Sequence, residues 1–217
     1  MAEQPNIPNR KLTRAELERY AAFLKREEKL LEAGYKRKDI IVSIITANLL
    51  GTLVAAIPCI PAAIAFFAIH GTEFVDKQKH PLYMVGYLLL FVALIFVHEM
   101  IHGLFWSIGA ENHLKDIRFG FVVQYLTPYC TCSSPLKKPI YIIGTFMPMF
   151  ILGICVMIVS IILGNVGLFV VGVLHTLAGA GDILIILKLL AYKSKGKDVV
   201  FIDHPYECGL VAFEKDA

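Results

Sequence analysis

Four apolar stretches, 40–69, 82–110, 140–163 and 166–192, dominate this 217-residue chain. Each exceeds the roughly 20 residues that a helix needs to cross the hydrocarbon core of a bilayer. The composition agrees, because 57% hydrophobic residues and a mean hydropathy of +0.64 are too apolar for one soluble domain of this size. The expected fold class is an all-α membrane protein of about four transmembrane helices. Pro58 and Pro61 predict a kink in the first of them. The mostly polar residues 1–39 before it are unlike a cleavable signal peptide.

The basic residues set the orientation. Of 21 Lys and Arg, 19 fall before the first stretch, between the second and third, or from Lys188 onward, whereas only Lys77 and Lys79 occupy the opposite side. By the positive-inside rule both termini are cytoplasmic, in a multi-pass protein expected at the cell membrane. A net charge of +3 without a nucleic-acid motif points to the lipid bilayer as a partner and excludes nucleic acid. Three segments follow: a cytoplasmic lead with an amphipathic helix at 1–39, a transmembrane core at 40–192 and a cytoplasmic tail at 193–217. Residues 1–10, with Pro5 and Pro8, read as a disordered lead. Cytoplasmic cysteines make structural disulfides unexpected, and Cys130-x-Cys132 lacks the spacing of a zinc pair.

Thr13-Arg-Ala-Glu16 is a capping box opening a helix that runs to about Ala33, with Gly34 as its stop. Leu17, Tyr20, Leu24 and Leu31 recur along it at helical spacing, expected to pack on the protein's own cytoplasmic face, with the lipid interface as the alternative. After the second stretch, Ile117, Phe119, Phe121, Val123 and Tyr125 take every second position, a strand pattern. Extended backbone between two spans must lie outside the hydrocarbon or be sheltered by protein, so a short β-like re-entrant or sheltered segment is expected there. Residues 199–202 form a second short strand candidate.

The chemistry concentrates at His98-Glu99-Met100-Ile101-His102. On a helix, residues four apart share a face, so both imidazoles reach one ion while the glutamate between them can take a proton from an attacking water. The motif lies inside an apolar span, where each ionisable group costs about 2.5–3.5 kcal/mol on insertion scales. Three together call for a purpose, and zinc (Zn2+) is the metal such a set serves. Zinc needs a third protein ligand, and Asp182 leads because, Glu99 aside, it is the only carboxylate deep in a span. Both His102 and Asp182 lie about 12 Å from the cytoplasmic end of their spans. His175, seven residues before Asp182, is expected to orient a ligand or line the water path; Glu111, His113 and His204 are the remaining alternatives for the third ligand. Gly179-Ala-Gly181-Asp182 also matches the short signature of presenilin-type aspartyl proteases, but no second aspartate lies within a span. The glycines read better as close helix packing.

These features resemble the site-2-protease-like intramembrane metalloproteases, and more closely a membrane family described as zincin peptidases. The resemblance rests on the motif at 98–102, the extended segment at 114–132, Gly-Thr-Phe-Met-Pro-Met at 144–149, Asp182, and the Asp203-His204-Pro205…Gly209 tail. It implies His98, His102 and Asp182 as metal ligands and Glu99 as the catalytic base. It also implies that the edge of the segment carrying Ile117, Phe119, Phe121 and Val123 pairs with an unwound substrate. The better-known members carry Asn-Pro or Leu-Asp-Gly around the aspartate, where this chain has Ala-Gly-Asp-Ile. The expected function is zinc-dependent hydrolysis of a membrane-anchored protein or peptide near the cytoplasmic face. The alternatives are an inactive metal-binding membrane scaffold and a metal or ion transporter. The topology has a direct test. In a cysteine-free background, Gln78→Cys is expected to react with an impermeant maleimide in intact cells, and Asn112→Cys only after permeabilisation. The reverse pattern inverts the orientation.

Overall fold

The computed structural model describes residues 13–72, 80–122 and 127–216. The first helix, α1 (Arg14–Glu32), opens at Thr13, whose hydroxyl accepts from the Glu16 amide while the Glu16 carboxylate accepts from the Thr13 amide. Gly34, at φ +89°, takes the left-handed conformation that ends it. The expected lead at 1–10, with Lys77, Lys79, Val123 and Tyr125, lies outside the described residues.

Three helical stretches are long and apolar enough to cross a membrane, with a fourth if a bent pair counts as one. They are α2 (Ile44–His70), α3 (Pro81–Ser107) and a composite of α4 (Lys138–Pro148), a π-helical segment (Met149–Cys155) and α5 (Val156–Leu163). The bent pair is α6 (Val166–Ala178) and α7 (Ala180–Ala191), inclined at 46°. Large aliphatic side chains such as Ile45, Leu53, Leu82 and Leu89 are more than half exposed, which is compatible with a surface that faces lipid. The stretch at 166–192 is therefore not one continuous helix as its composition predicts. Gly179 interrupts it, and α2 closes on the break: a Cβ added at Gly51 would lie 2.1 Å from the Ala180 carbonyl oxygen.

The chain is not all-α. A four-stranded antiparallel sheet, in the order β1-β6-β5-β4, is built from β1 (Lys36–Ile41), β4 (Leu136–Lys137), β5 (Lys197–Asp203) and β6 (Gly209–Asp216). Ile40 and Ile41, read as the start of the first span, instead end β1, and residues 199–202 lie within β5 as expected. Its two central strands, β5 and β6, are buried on both faces. Val199, Phe201, Leu210 and Ala212 pack with Trp106, Tyr141 and Leu189 at one end of the helical bundle. Val200, Ile202, Val211 and Phe213 pack under Phe23 of α1. Strands covered on both sides need no polar alternation, so β5 and β6 read as unbroken apolar runs.

The sheet thus separates α1 from the bundle. The buried side of α1 is Phe23, flanked by Tyr20 and Leu30, while Leu17, Leu24 and Leu31 are exposed. The leucine face expected to pack is therefore not the packed one: the sheet takes the neighbouring face, where the Phe23 ring meets Phe213 at 6.2 Å. The hairpin β2 (Ile117–Val122) and β3 (Thr127–Cys132) forms a separate two-stranded sheet against α3. It is the extended segment expected after the second span. A packing test follows from the α2–α7 contact. Gly51→Ala is expected to destabilise the protein by about 1–3 kcal/mol, because the clash is with backbone that cannot rotate away. Thermal unfolding in detergent measures it, and an unchanged midpoint would show that the helices can separate freely.

Candidate metal centre

Helical spacing brings His98 and His102 to one side of α3, and both are buried. Their Nε2 atoms lie 3.1 Å apart. Asp182 enters from the first turn of α7, immediately after the break at Gly179. Its Oδ2 is 3.2 Å from His98 Nε2 and 3.4 Å from His102 Nε2. A helix N-terminus suits a carboxylate, since its free amides carry partial positive charge. Among the described residues these three form the one group of His, Cys, Asp or Glu with ligand atoms clustered as a metal requires.

The spacing can be tested against zinc. A tetrahedral ion about 2.0–2.1 Å from each ligand separates those ligands by roughly 3.3–3.4 Å. The three distances here, 3.1, 3.2 and 3.4 Å, approach that triangle. Hydrogen bonding supports the same conclusion. His102 Nδ1 lies 2.9 Å from the Gly144 carbonyl, which only accepts, so Nδ1 carries the proton. In the neutral ring, Nε2 then turns a lone pair toward the Asp182 carboxylate. Either a proton or a metal ion between the two atoms satisfies that separation, and the donor set of two imidazoles and a carboxylate fits zinc.

The surrounding residues hold His102 in this pose. The Trp106 indole, one turn along α3, stacks on its ring with centroids 4.9 Å apart and planes 13° from parallel. Trp106 Nε1 donates to the Tyr141 carbonyl at 3.2 Å. Gly144 allows this approach, since a Cβ there would fall 2.1 Å from the Trp106 ring. Tyr141 in turn donates its hydroxyl to Asp203, whose other oxygen accepts from the Cys132 amide at 2.9 Å. The strand β5 thereby fastens both α4 and the hairpin. Glu99, half-buried beside the histidines, has its carboxylate within hydrogen-bonding reach of the Cys130 backbone amide.

The remaining sequence candidates separate from this cluster. His175 is buried with its ring 4.8 Å from Phe91, and its Nε2 has no hydrogen-bond partner among the described residues. Glu111 pairs with Arg26, and His113 Nδ1 lies 3.0 Å from the Ser107 carbonyl. His204 is buried in the β5–β6 turn, where its Nδ1 accepts from the Glu207 amide at 2.9 Å; burial pushes its pKa down to about 4, so it is neutral at pH 7. Cys130 and Cys132 are buried thiols whose pKa values burial raises, and neither joins the cluster. Ile117 is buried while Phe119 and Phe121 are exposed on β2, whose edge away from β3 has no strand partner among the described residues; Val123 lies outside them. Sequence reading missed Trp106, the Gly144 carbonyl, the Cys130 amide and the anchoring role of Asp203. A tryptophan one turn from a candidate ligand histidine was the available signal; backbone groups leave none.

Trp106 is the only tryptophan in the chain, so it is a built-in reporter. Adding zinc to metal-free protein is expected to change its fluorescence, saturating at one ion per chain. His102→Ala is expected to abolish the response. An unaltered titration in His102→Ala would place the metal elsewhere.

In comparisons with known proteins, no curated protein and no solved structure matches. A family model described as "Putative zincin peptidase" matches residues 91–196, a region that contains His98, Glu99, His102 and Asp182 and ends before Asp203. That region is similar to a zincin-like family, a likeness that suggests a metallopeptidase.

Proposed function

We propose that the chain is an intramembrane zinc metallopeptidase of the HExxH, site-2-protease-like type, hydrolysing membrane-anchored proteins near the cytoplasmic face. The observation that carries this reading is the convergence of His98, His102 and Asp182 to within 3.4 Å of one another beside Glu99. The zincin-like match over residues 91–196 supports it independently. A zinc ion held by the three side chains would supply a Lewis acid for a water and for the scissile carbonyl. Glu99 would accept the proton of the attacking water and return it to the leaving amine. The Cys130 amide would hold the Glu99 carboxylate in position for both transfers. The open edge of β2 would pair with a locally unwound substrate, because a transmembrane helix hides its scissile amides in its own hydrogen bonds. Water would reach the site from the cytoplasmic end.

One observation favours a second reading. The interrupted α6–α7 pair places a helix N-terminus at Asp182, as in transporters with broken helices, and a metal carrier would use the same three side chains. A carrier has no use for a base beside the ligands.

Glu99→Gln separates the two. The substitution is nearly isosteric and leaves the three proposed ligands in place, so the protein is expected to keep its zinc. Cleavage of a mixed peptide pool, read by mass spectrometry, is expected to fall by about 10²-fold or more. Asp182→Asn should weaken zinc retention and cleavage together, since it removes the charge facing the ion. Equal fragments from wild type and Glu99→Gln would remove the peptidase reading.

A further inference from the structure

Gly103 lies four residues after Glu99, so the two share a face of α3. It is buried, and the β2–β3 hairpin rests on it. A Cβ added there would fall 2.8 Å from Ile117 Cγ2, 2.9 Å from Phe119 Cζ and 3.3 Å from Cys130 Sγ. The first two atoms belong to β2 and the third to β3, so both strands close on this one position. The exposed Phe119 ring can turn away, but Ile117 is buried and β-branched, with little rotamer freedom. A side chain at 103 therefore lifts the hairpin.

The strand that touches Gly103 also supplies the amide that reaches Glu99. Along a strand, backbone N–H groups turn alternately to its two edges. The Ser133 amide donates to the carbonyl of Asp116, the residue before β2. The Cys130 and Cys132 amides therefore turn to the other edge, and there each meets a carboxylate. Cys132 donates to Asp203 Oδ2 at 2.9 Å, and Cys130 is within reach of Glu99. Asp203 is itself fixed by the Tyr141 hydroxyl. At about 3.4 Å per residue, the two amides lie roughly 7 Å apart on one rigid strand.

A general base needs such a hold. It must take a proton from water and later deliver it to an amine, and a carboxylate free to rotate spends little time aimed at either. An N–H that donates to one oxygen fixes the plane of the group and leaves the other oxygen for the proton. That holds only while β3 lies close to α3 and does not slide along it. Gly103 governs the first condition through its missing side chain. Asp203 governs the second through the neighbouring amide.

Resting on the peptidase reading, we infer that Gly103 and Asp203 are positioning residues for the catalytic base, acting together through the Cys130 amide. Neither touches the reacting atoms. The hydrogen at position 103 lets the hairpin seat against the face that carries Glu99, and the carboxylate at 203 keeps it seated.

The test uses the full-length protein in detergent and pairs a measurement that needs no activity with kinetics. Hydrogen exchange at the Cys130 amide, read by NMR on protein carrying isotope-labelled cysteine, is expected to speed up about tenfold in Gly103→Ala and in Asp203→Asn. In the zinc-loaded protein, kcat on a peptide that the wild type cleaves should fall by about 10–10²-fold in each variant while KM changes little. Alanine favours a helix more than glycine does, so weakening of α3 itself does not account for a loss in Gly103→Ala. Adding Ile117→Ala, which removes the methyl group that a Cβ at 103 meets, should restore part of kcat. Asp203→Asn loosens the same amide from the other side and carries the test if Gly103→Ala does not fold. In a Glu99→Gln background neither substitution should lower the residual cleavage further, whereas general damage to the fold would add to it. Unchanged Cys130 exchange in either variant, or equal losses with and without Glu99, overturns the inference and leaves the peptidase reading intact. A wild type that cuts no peptide, beside faster Cys130 exchange in both variants, overturns the peptidase reading and with it the catalytic part assigned to these two residues.

Discussion

Three candidate ligand atoms meeting among long apolar helices govern much of what surrounds them. His98 Nε2, His102 Nε2 and Asp182 Oδ2 converge to within 3.4 Å, and the His102 tautomer is set by a backbone carbonyl. Such a cluster is tolerable in a low-dielectric interior only with compensating positive charge, so its geometry must be held against the tendency of its members to part. Two structural devices hold it. The fourth apolar stretch breaks at Gly179, so that Asp182 stands at a helix start and projects toward α3. Gly144 brings α4 against Trp106 closely enough for its carbonyl to reach His102.

The sheet explains how a small chain keeps that arrangement rigid. Strands from before the first long apolar helix and after the last pair with each other, β1 against β6, and so close the bundle at one end. From this platform Asp203 reaches Tyr141 on α4 and the Cys132 amide on the hairpin. Tyr141 holds Trp106, Trp106 stacks on His102, and Cys130 on the same hairpin contacts Glu99. Residues 197–216, which lie outside the family match, are thus joined to the candidate site by an unbroken series of contacts. The helix α1 covers the far face of the same sheet.

Much of this was legible in the amino-acid sequence because long apolar segments follow simple rules. Long apolar runs read as spans, and the extended pattern after the second span read as a strand. Three ionisable groups inside an apolar stretch stood out because hydrocarbon makes them expensive. The same simplicity hid other features. Strands β5 and β6 lack the period of two because both faces are covered, so only residues 199–202 announced themselves. On α1, the leucine spacing marked a face without showing that the sheet would choose Phe23 over Leu17, Leu24 and Leu31.

By itself, then, the sequence determined the number of apolar stretches, the capping box of α1 and the pairing of His98 with His102, since each depends on residues close together in the chain. Tertiary structure decided the rest. It showed the Gly179 break where glycines had read as packing, the layering of bundle, sheet and α1, and the meeting of Asp182 with two histidines some 80 residues away in the chain. It also supplied partners with no sequence signature, the Gly144 carbonyl and the Cys130 amide. The physical reason is that every residue carries the same backbone donor and acceptor, so which of them a side chain meets depends on how distant segments pack.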